Sequence, residues 1–351
     1  MNSRFRSLGL WAAFAAVCLV AVPLDACTRC VYLGSQEIVI VARSMDWAED
    51  PGSNLYVFPR GLQRSGAAGA NSIAWTSKYG SVITAFYEAG TVDGMNDQGL
   101  VANVLYLVES NYGTPTSGQK TLSICAWGQY VLDNYATVAE AVESLRKEPF
   151  AIVAPILPNG EPAQGHLSVS DPSGDSAIFE YVDGKLQIHH GRQYQVMTNS
   201  PTYDKQLSLN AYWQQIGGTA MLPGTSRAAD RFVRASFYID AVPEVSDMHK
   251  AVASVFSVIR GVSVPLGITT PGQPNIASTV WRTLYDQKNK VMYFDSATSP
   301  TVFWVPLSDL DFKVGAPVKK LELAGGKTYS GNAADKFAAA KPFEFLPAVP
   351  K

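Results

Sequence analysis

The apolar residues of this chain change their period in blocks, and the order of those blocks limits the fold more than any one motif does. Two alternating runs, Cys30–Leu33 and Glu37–Ala42, are separated by Gly34-Ser35 and read as a hairpin. Strand-like segments follow at Leu55–Phe58, Ser72–Trp75, Ser81–Phe86 and Leu100–Leu107. The spacing then turns helical over Leu122–Leu132 and Val138–Leu145, with Asn134 to Thr137 as break and cap. A second set of strands reads at Phe150–Ala154, His166–Ser170, Ala177–Tyr181, Leu186–His189 and Tyr194–Met197. Helical spacing returns over Asp204–Gln215, Arg227–Ile239 and Met248–Val258, and strands close the order at Ser278–Asp286, Val291–Asp295 and Val302–Pro306. Strand blocks that alternate with helix groups predict an α+β fold of two antiparallel sheets packed on each other, helices outside, rather than a parallel βαβ sheet. The Gly/Pro-rich stretches Pro158–Gly165 and Pro265–Pro274 read as short loops, so residues 27–351 are taken as one domain. The tail Gly325–Lys351 reads as irregular and peripheral.

The N-terminus places Arg4 and Arg6 before an apolar run from Leu8 to Leu24 and then the small Ala26. That is the order of a secretory signal, and the run is too short and lacks the charged flank of a membrane anchor. Cleavage after Ala26 is expected, which predicts a periplasmic or secreted protein with no stable membrane insertion. With 28 Lys+Arg against 30 Asp+Glu, a net charge of -2 and no basic block, the chain lacks the electrostatic footprint of a nucleic-acid binder.

Four cysteines are too few to staple a chain of this length, so a hydrophobic core must hold it. Cys18 leaves with the signal, and the remaining Cys27, Cys30 and Cys125 are odd in number, which requires a free thiol in an exported protein. The C-T-R-C spacing has no second CxxC or histidine pair to make a zinc site. Cys30 and Cys125 read as small buried apolar residues, with a disulfide between them left open. Position matters most for Cys27, because cleavage makes it the first residue. A terminal cysteine carries its own base: the thiol is a nucleophile, and the α-amine, with an ordinary pKa of about 7.7–8.0, can take its proton. Leu24-Asp25-Ala26-Cys27 also resembles a lipoprotein box. On that reading Cys27 is acylated and the protein is a lipidated envelope binding protein without turnover.

Other motifs carry less. Gly325-Gly326-Lys327-Thr328 imitates the end of a phosphate-binding loop, but Leu321 stands where that motif needs glycine, so it reads as a turn. His189-His190 lie on a polar-rich strand, and nothing around His166 supports a Cys–His pair. The segment Val41–Trp47 is different. A hairpin brings it back beside the N-terminus, so Arg43 and Asp46 approach Cys27. A guanidinium there favours the thiolate, and a carboxylate can hold the terminal amine.

Taken together, C-T-R after the signal, A-R-S-M-D-W, G-M-N-D-Q-G-L at Gly94–Leu100, M-T-N-S-P-T-Y-D at Met197–Asp204 and S-R-x-x-D-R-F-V-R at Ser226–Arg234 resemble one family. It is the choloylglycine hydrolase/penicillin V acylase family of N-terminal nucleophile hydrolases, and Thr279–Phe294 resembles its closing strands. The resemblance implies a four-layer αββα sandwich and hydrolysis of a linear, non-peptide amide through a thioester acyl-enzyme. No metal or other cofactor is implied. It puts the nucleophile on Cys27, the flanking pair on Arg43 and Asp46, an oxyanion-side amide donor on Asn199 and a second arginine on Arg231, with Arg227 and Arg234 as competitors for that last place. Loss of one oxyanion donor typically costs about 10²–10³ in rate.

Tyr106 stands where the penicillin-cleaving members carry tyrosine and the bile-salt-cleaving members asparagine, which favours a Gram-negative penicillin V acylase-like activity. Trp47, Tyr87 and Trp127 are candidates to line a pocket for an aryl or fatty acyl group. N-acyl homoserine lactones, and hence quorum quenching, enter as the expected natural substrate class. Conjugated bile salt hydrolysis is the second enzymatic reading. The family's usual assembly is a homotetramer; the short stretch between Asn199 and Arg231 lacks the inserted loop that supports it.

Overall fold

A computed structural model of the chain describes residues 26–268 and 277–349. The segment before Ala26, read above as a secretory signal, and most of the Pro265–Pro274 loop lie outside the described residues.

The opening hairpin is longer than the alternation suggested. Strand β1 is Ala26–Leu33 and β2 is Val39–Trp47, paired antiparallel with Cys27 opposite Met45 and Arg29 opposite Arg43. They sit in a seven-stranded sheet in the order Val196–Met197, β1, β2, Ser278–Asp286, Val291–Ser296, Val302–Pro306 and Gly331–Asn332. All its pairings are antiparallel except that of the last edge strand. A nine-stranded sheet faces it, running from Lys185–His190 through Ser176–Val182, His166–Ser170, Val101–Leu105, Gly90–Asn96, Ser81–Phe86, Leu55–Phe58 and Lys319–Leu321 to Ala338–Ala339. Helices Ala228–Ala241 and Met248–Gly261 cover the outer side of the first sheet, with Tyr203–Ile216 packed on the former. Helix α1, Ile124–Asn134, and Val138–Leu145 cover the second. The layers are the αββα sandwich that the block order and the resemblance both predict. One large apolar cluster runs through both sheets and their helices.

Local chemistry explains the boundaries. Thr137 caps the second helix by accepting from the Glu140 N–H, and Glu140 returns to the Ala136 N–H at 2.8 Å, a reciprocal pair that ends one helix and starts the next. Asp247 caps Met248–Gly261 in the same way, from the Lys250 N–H.

Two expectations need correction. Gly90–Asn96 was not among the strands read from the sequence, because Gly-Thr-Val-Asp-Gly has turn composition; it is a buried strand of the second sheet. Gly94 is required there by closeness, since a Cβ would meet Ile83 Cγ2 at 2.7 Å and the Val82 carbonyl at 2.9 Å. The tail is irregular, and Gly325 and Gly326 make the expected turn with φ of 76° and 79°, but it is not peripheral. Phe345 and Ala348 are buried, the Leu346 N–H donates to the Ala89 carbonyl at 2.7 Å, and the Ala348 N–H to the Ala67 carbonyl at 2.8 Å. Phe343 packs edge-on against Tyr56 and Phe58 at 5.1 and 5.7 Å.

Candidate active site

The period of two along a strand decides what surrounds Cys27. Cys27 and Arg29 point to one face of β1, and Arg43 and Met45, their partners across the ladder, point the same way, into the space between the sheets. Thr28, Cys30, Ser44 and Asp46 point the other way, toward the helices. The C-T-R-C spacing therefore separates its two thiols on opposite faces. Cys27, Cys30 and Cys125 are all free, so the Cys30–Cys125 disulfide left open above does not form.

On the inter-sheet face, Arg43 Nη2 lies 3.8 Å from Cys27 Sγ and 3.1 Å from Met45 Sδ, and donates to the Val104 carbonyl at 3.2 Å. On the helix face, Arg231 Nη1 donates to the Cys27 carbonyl at 2.6 Å and Thr28 Oγ1 at 2.5 Å, and stands 3.7 Å from Asp46 Oδ2. Its Nη2 donates to Asn199 Oδ1 at 3.0 Å. Asp46 Oδ1 accepts from Thr279 Oγ1 at 2.5 Å, while Oδ2 has no hydrogen-bond partner among the described residues. The backbone N–H of Cys27 donates to Asn199 Oδ1. The five residues expected at the site are thus together, arranged around Cys27 from both faces of its strand.

Helix phase selects among the three arginines. Arg231 is fully buried; Arg227 is the exposed residue that precedes the helix, and Arg234 Nη1 is turned to the Pro223 and Thr225 carbonyls. Asn199 differs from expectation. Its Nδ2, read as a donor to an oxyanion, here donates to the Tyr106 carbonyl at 2.6 Å, and its oxygen holds the Cys27 backbone instead. The loop that carries it is clamped by Gln206, whose Nε2 donates to the Asn199 and Pro201 carbonyls and whose Oε1 accepts from Thr198.

The thiol opens into a narrow cavity of about 60 Å³. Trp47, Phe86 and Tyr106 form its aromatic wall, with Trp47 edge-on to the other two at 5.2 and 5.8 Å. Tyr87 does not line it: its hydroxyl accepts from Trp47 Nε1 at 2.9 Å and braces the indole from behind. Trp127 is also absent from the wall. It is 2% exposed and packs near Tyr181, because α1 presents Ile124 and Cys125 to the cavity and turns Trp127 into the core. Met45, Thr279, Gln206 and Cys125 were missed as site residues; Met45 fell within the quoted A-R-S-M-D-W and Thr279 within the quoted closing-strand segment, and the other two gave no signal. A larger cavity of about 330 Å³ shares Trp47, but its walls include none of Cys27, Arg43, Asp46, Asn199 or Arg231. His166 is buried against Glu180 at 2.7 Å, away from this constellation.

Burial dominates the electrostatics. It pushes the Cys27 thiol up, against the opposing pull of Arg43, so the expectation of a lowered thiol pKa is corrected: the guanidinium moderates the rise without reversing it. Burial likewise pushes Asp46 up to about 6, with Arg231 opposing. Arg231 is pushed down by burial and held up by Asp46.

Residues 27–320 match the family described as linear amide C-N hydrolases, choloylglycine hydrolase family. The chain belongs to that family. It is a linear amide C–N hydrolase of the penicillin V acylase and bile salt hydrolase type, as the resemblance implied. It is 50% identical over 369 aligned positions to a penicillin V acylase of Pectobacterium atrosepticum, covering 98% of both chains. The solved structure of penicillin V acylase from Agrobacterium tumefaciens is 60% identical, with a TM-score of 0.85 over 91% of this chain and 99% of that one. A conjugated bile acid hydrolase structure from Clostridium perfringens shares the fold, with a TM-score of 0.73 at 20% identity over 87% of this chain and 98% of that one.

Asp46 gives a pH-dependent prediction for the chain that retains Ala26. Its folded-state pKa of about 6 lies above the ordinary 3.8, so the folded state binds the proton more tightly. The stabilisation is full below pH 4 and is lost as the pH rises through about 6. Relative to Asp46→Asn, the wild-type chain should lose on the order of 3 kcal/mol of unfolding free energy between these limits. Urea unfolding across that range checks it; a difference that does not change with pH contradicts it.

Proposed function

We propose that the protein is exported, loses residues 1–26, and works in the periplasm or outside the cell as a penicillin V acylase-like amidase with Cys27 as its N-terminal nucleophile. One observation carries this reading: the Cys27 thiol opens into an aromatic-walled cavity with Arg43 beside it, while the Cys27 backbone is held from the opposite face by Asn199 and Arg231. The family match that begins on Cys27 supports it.

Burial keeps the thiol protonated, so a base is needed, and the α-amine freed at Cys27 is placed to be that base. Asp46, whose backbone pairs with Ala26, has one carboxylate oxygen that makes no hydrogen bond among the described residues and stands 3.7 Å from Arg231 Nη1, and we assign it to hold the freed amine. Sulfur attacks the amide carbon, the second N–H of Asn199 Nδ2, whose first is taken by the Tyr106 carbonyl, is the donor to the tetrahedral oxygen, and the C–N bond breaks with the proton passing to the leaving amine. Water then cleaves the thioester, releasing the carboxylic acid and restoring the thiol. Arg231 holds the Cys27 carbonyl and Asp46 through both steps.

The apolar, aromatic lining suits an aryl or fatty acyl group, with Trp47 and Tyr106 in contact with it, and the cavity of about 60 Å³ must widen to take the whole group. N-acyl homoserine lactones are the natural substrate class proposed, and quorum quenching the corresponding role. The test is a panel of penicillin V, a long-chain N-acyl homoserine lactone and a glycine- or taurine-conjugated bile salt. Turnover of the first two well above the third is expected; preference for the bile conjugate would overturn the substrate assignment.

A further inference from the structure

Arg43 is the guanidinium beside the thiol, and among the described residues no carboxylate lies within ion-pair distance of it. It is 1% exposed, its Nη atoms donate to the carbonyls of Val92 and Val104, its Nε has no partner, and the Trp281 ring lies 4.6 Å from its central carbon. A guanidinium removed from water in this way needs a counter-charge, and an uncompensated one is strongly destabilising.

The facing sheet supplies a carboxylate. Asp93 follows Val92 on the buried strand Gly90–Asn96 and is itself fully buried. Its Oδ2 accepts from Thr283 Oγ1 and Tyr285 OH, both at 2.7 Å, and its Oδ1 accepts from Asn103 Nδ2. An ionised carboxylate only accepts, and all three of these side chains donate. Thr283 is the residue directly opposite Arg43 across the ladder, so the two side chains share the inter-sheet face, and the hydroxyl that reaches Asp93 comes from beside the guanidinium. Burial pushes Asp93 up, and Arg43 is the strongest influence pulling it back.

We propose that Asp93 is the counter-ion and positioning residue of Arg43, holding the guanidinium 3.8 Å from Cys27 Sγ from outside the substrate cavity. Its catalytic consequence rests on Cys27 being the nucleophile; its structural consequence does not, and the test separates the two. Asp93→Asn, Arg43→Met and the double variant are compared for kcat and KM on penicillin V and for the midpoint of thermal unfolding. Asp93→Asn should lower kcat by ~10²-fold, the loss typical of a displaced positioning contact, and leave KM unchanged. In the Arg43→Met background the same change should cost no further kcat, and the double variant should unfold at a higher temperature than Asp93→Asn alone.

Losses of kcat that multiply, or an equal fall in unfolding temperature in both backgrounds, would overturn the proposal. Should Asp93→Asn fail to fold, a folded double variant supports it and an unfolded one overturns it. If the wild-type enzyme turns over no penicillin V, the substrate assignment fails, while the unfolding comparison still decides the role of Asp93.

Discussion

Replacing Cys27 by serine should reduce hydrolysis of penicillin V by at least ~10³-fold while leaving the fold intact. The two side chains are close in size, and the thiol makes no strong contact that serine would lose: its neighbours are Met45 Sδ at 3.7 Å and the Asp46 carbonyl at 3.9 Å. What changes is chemistry. A hydroxyl is a far weaker nucleophile than a thiol when the available base is an amine of near-neutral pKa, and Arg43 at 3.8 Å from Sγ favours a thiolate that serine cannot match. Steady-state kinetics with the thermal midpoint as a control measures this. Near wild-type turnover by the serine variant would show that the thiol is not the attacking group.

An equal loss is expected when one residue remains in front of Cys27. In the chain that carries Ala26, the Cys27 nitrogen is a peptide N–H donating to Asn199 Oδ1, and a peptide nitrogen cannot accept the thiol proton. Burial has already pushed the thiol up, so without the amine there is little thiolate to attack. Two preparations decide the point: one that begins at Cys27, and one that retains Ala26 behind a blocked cleavage site. The first should be active and the second should fall by at least ~10³-fold, since loss of the activating base removes the nucleophile with it. Equal activity would remove the α-amine from the mechanism. The pairing of Ala26 with Asp46 adds a physical link: the proposed cleavage would free the amine close to a buried carboxylate whose second oxygen makes no hydrogen bond among the described residues.

Much of this was legible in the sequence because period carries it. Alternation in β1 and β2 predicted the hairpin, and the hairpin alone puts Arg43 and Asp46 beside Cys27; the helical spacing over Asp204–Gln215, Arg227–Ile239 and Met248–Val258 predicted the outer layer on that sheet. What was not legible lies where tertiary contact overrides local pattern. Asp93 sits in a Gly-Thr-Val-Asp-Gly run that looks like a turn, and only the facing strand with Thr283 and Tyr285 reveals why a carboxylate is there. Trp127 and Tyr87 are aromatic and close in sequence to residues that line the cavity, yet neither lines it, because of the rotation of α1 and the direction of one indole N–H. The choice of Arg231 over Arg227 and Arg234 required the helix to be docked on β1. The tail was misread because its few apolar residues, Phe343, Phe345 and Ala348, have no period, although they fill gaps against Tyr56, Phe58 and Ala67.

On the proposed mechanism, Cys27 is both the first residue of the active enzyme and the residue whose Sγ carries the acyl group. Intact mass and N-terminal sequence of the protein exported by a Gram-negative host, taken before and after rapid acid quench during penicillin V turnover, test both halves at once. The proposed mechanism predicts a free Cys27 terminus, and a phenoxyacetyl increment on Cys27 in the quenched sample. An active protein with a different terminus, a lipid-acylated Cys27, or the acyl group on another residue would contradict it.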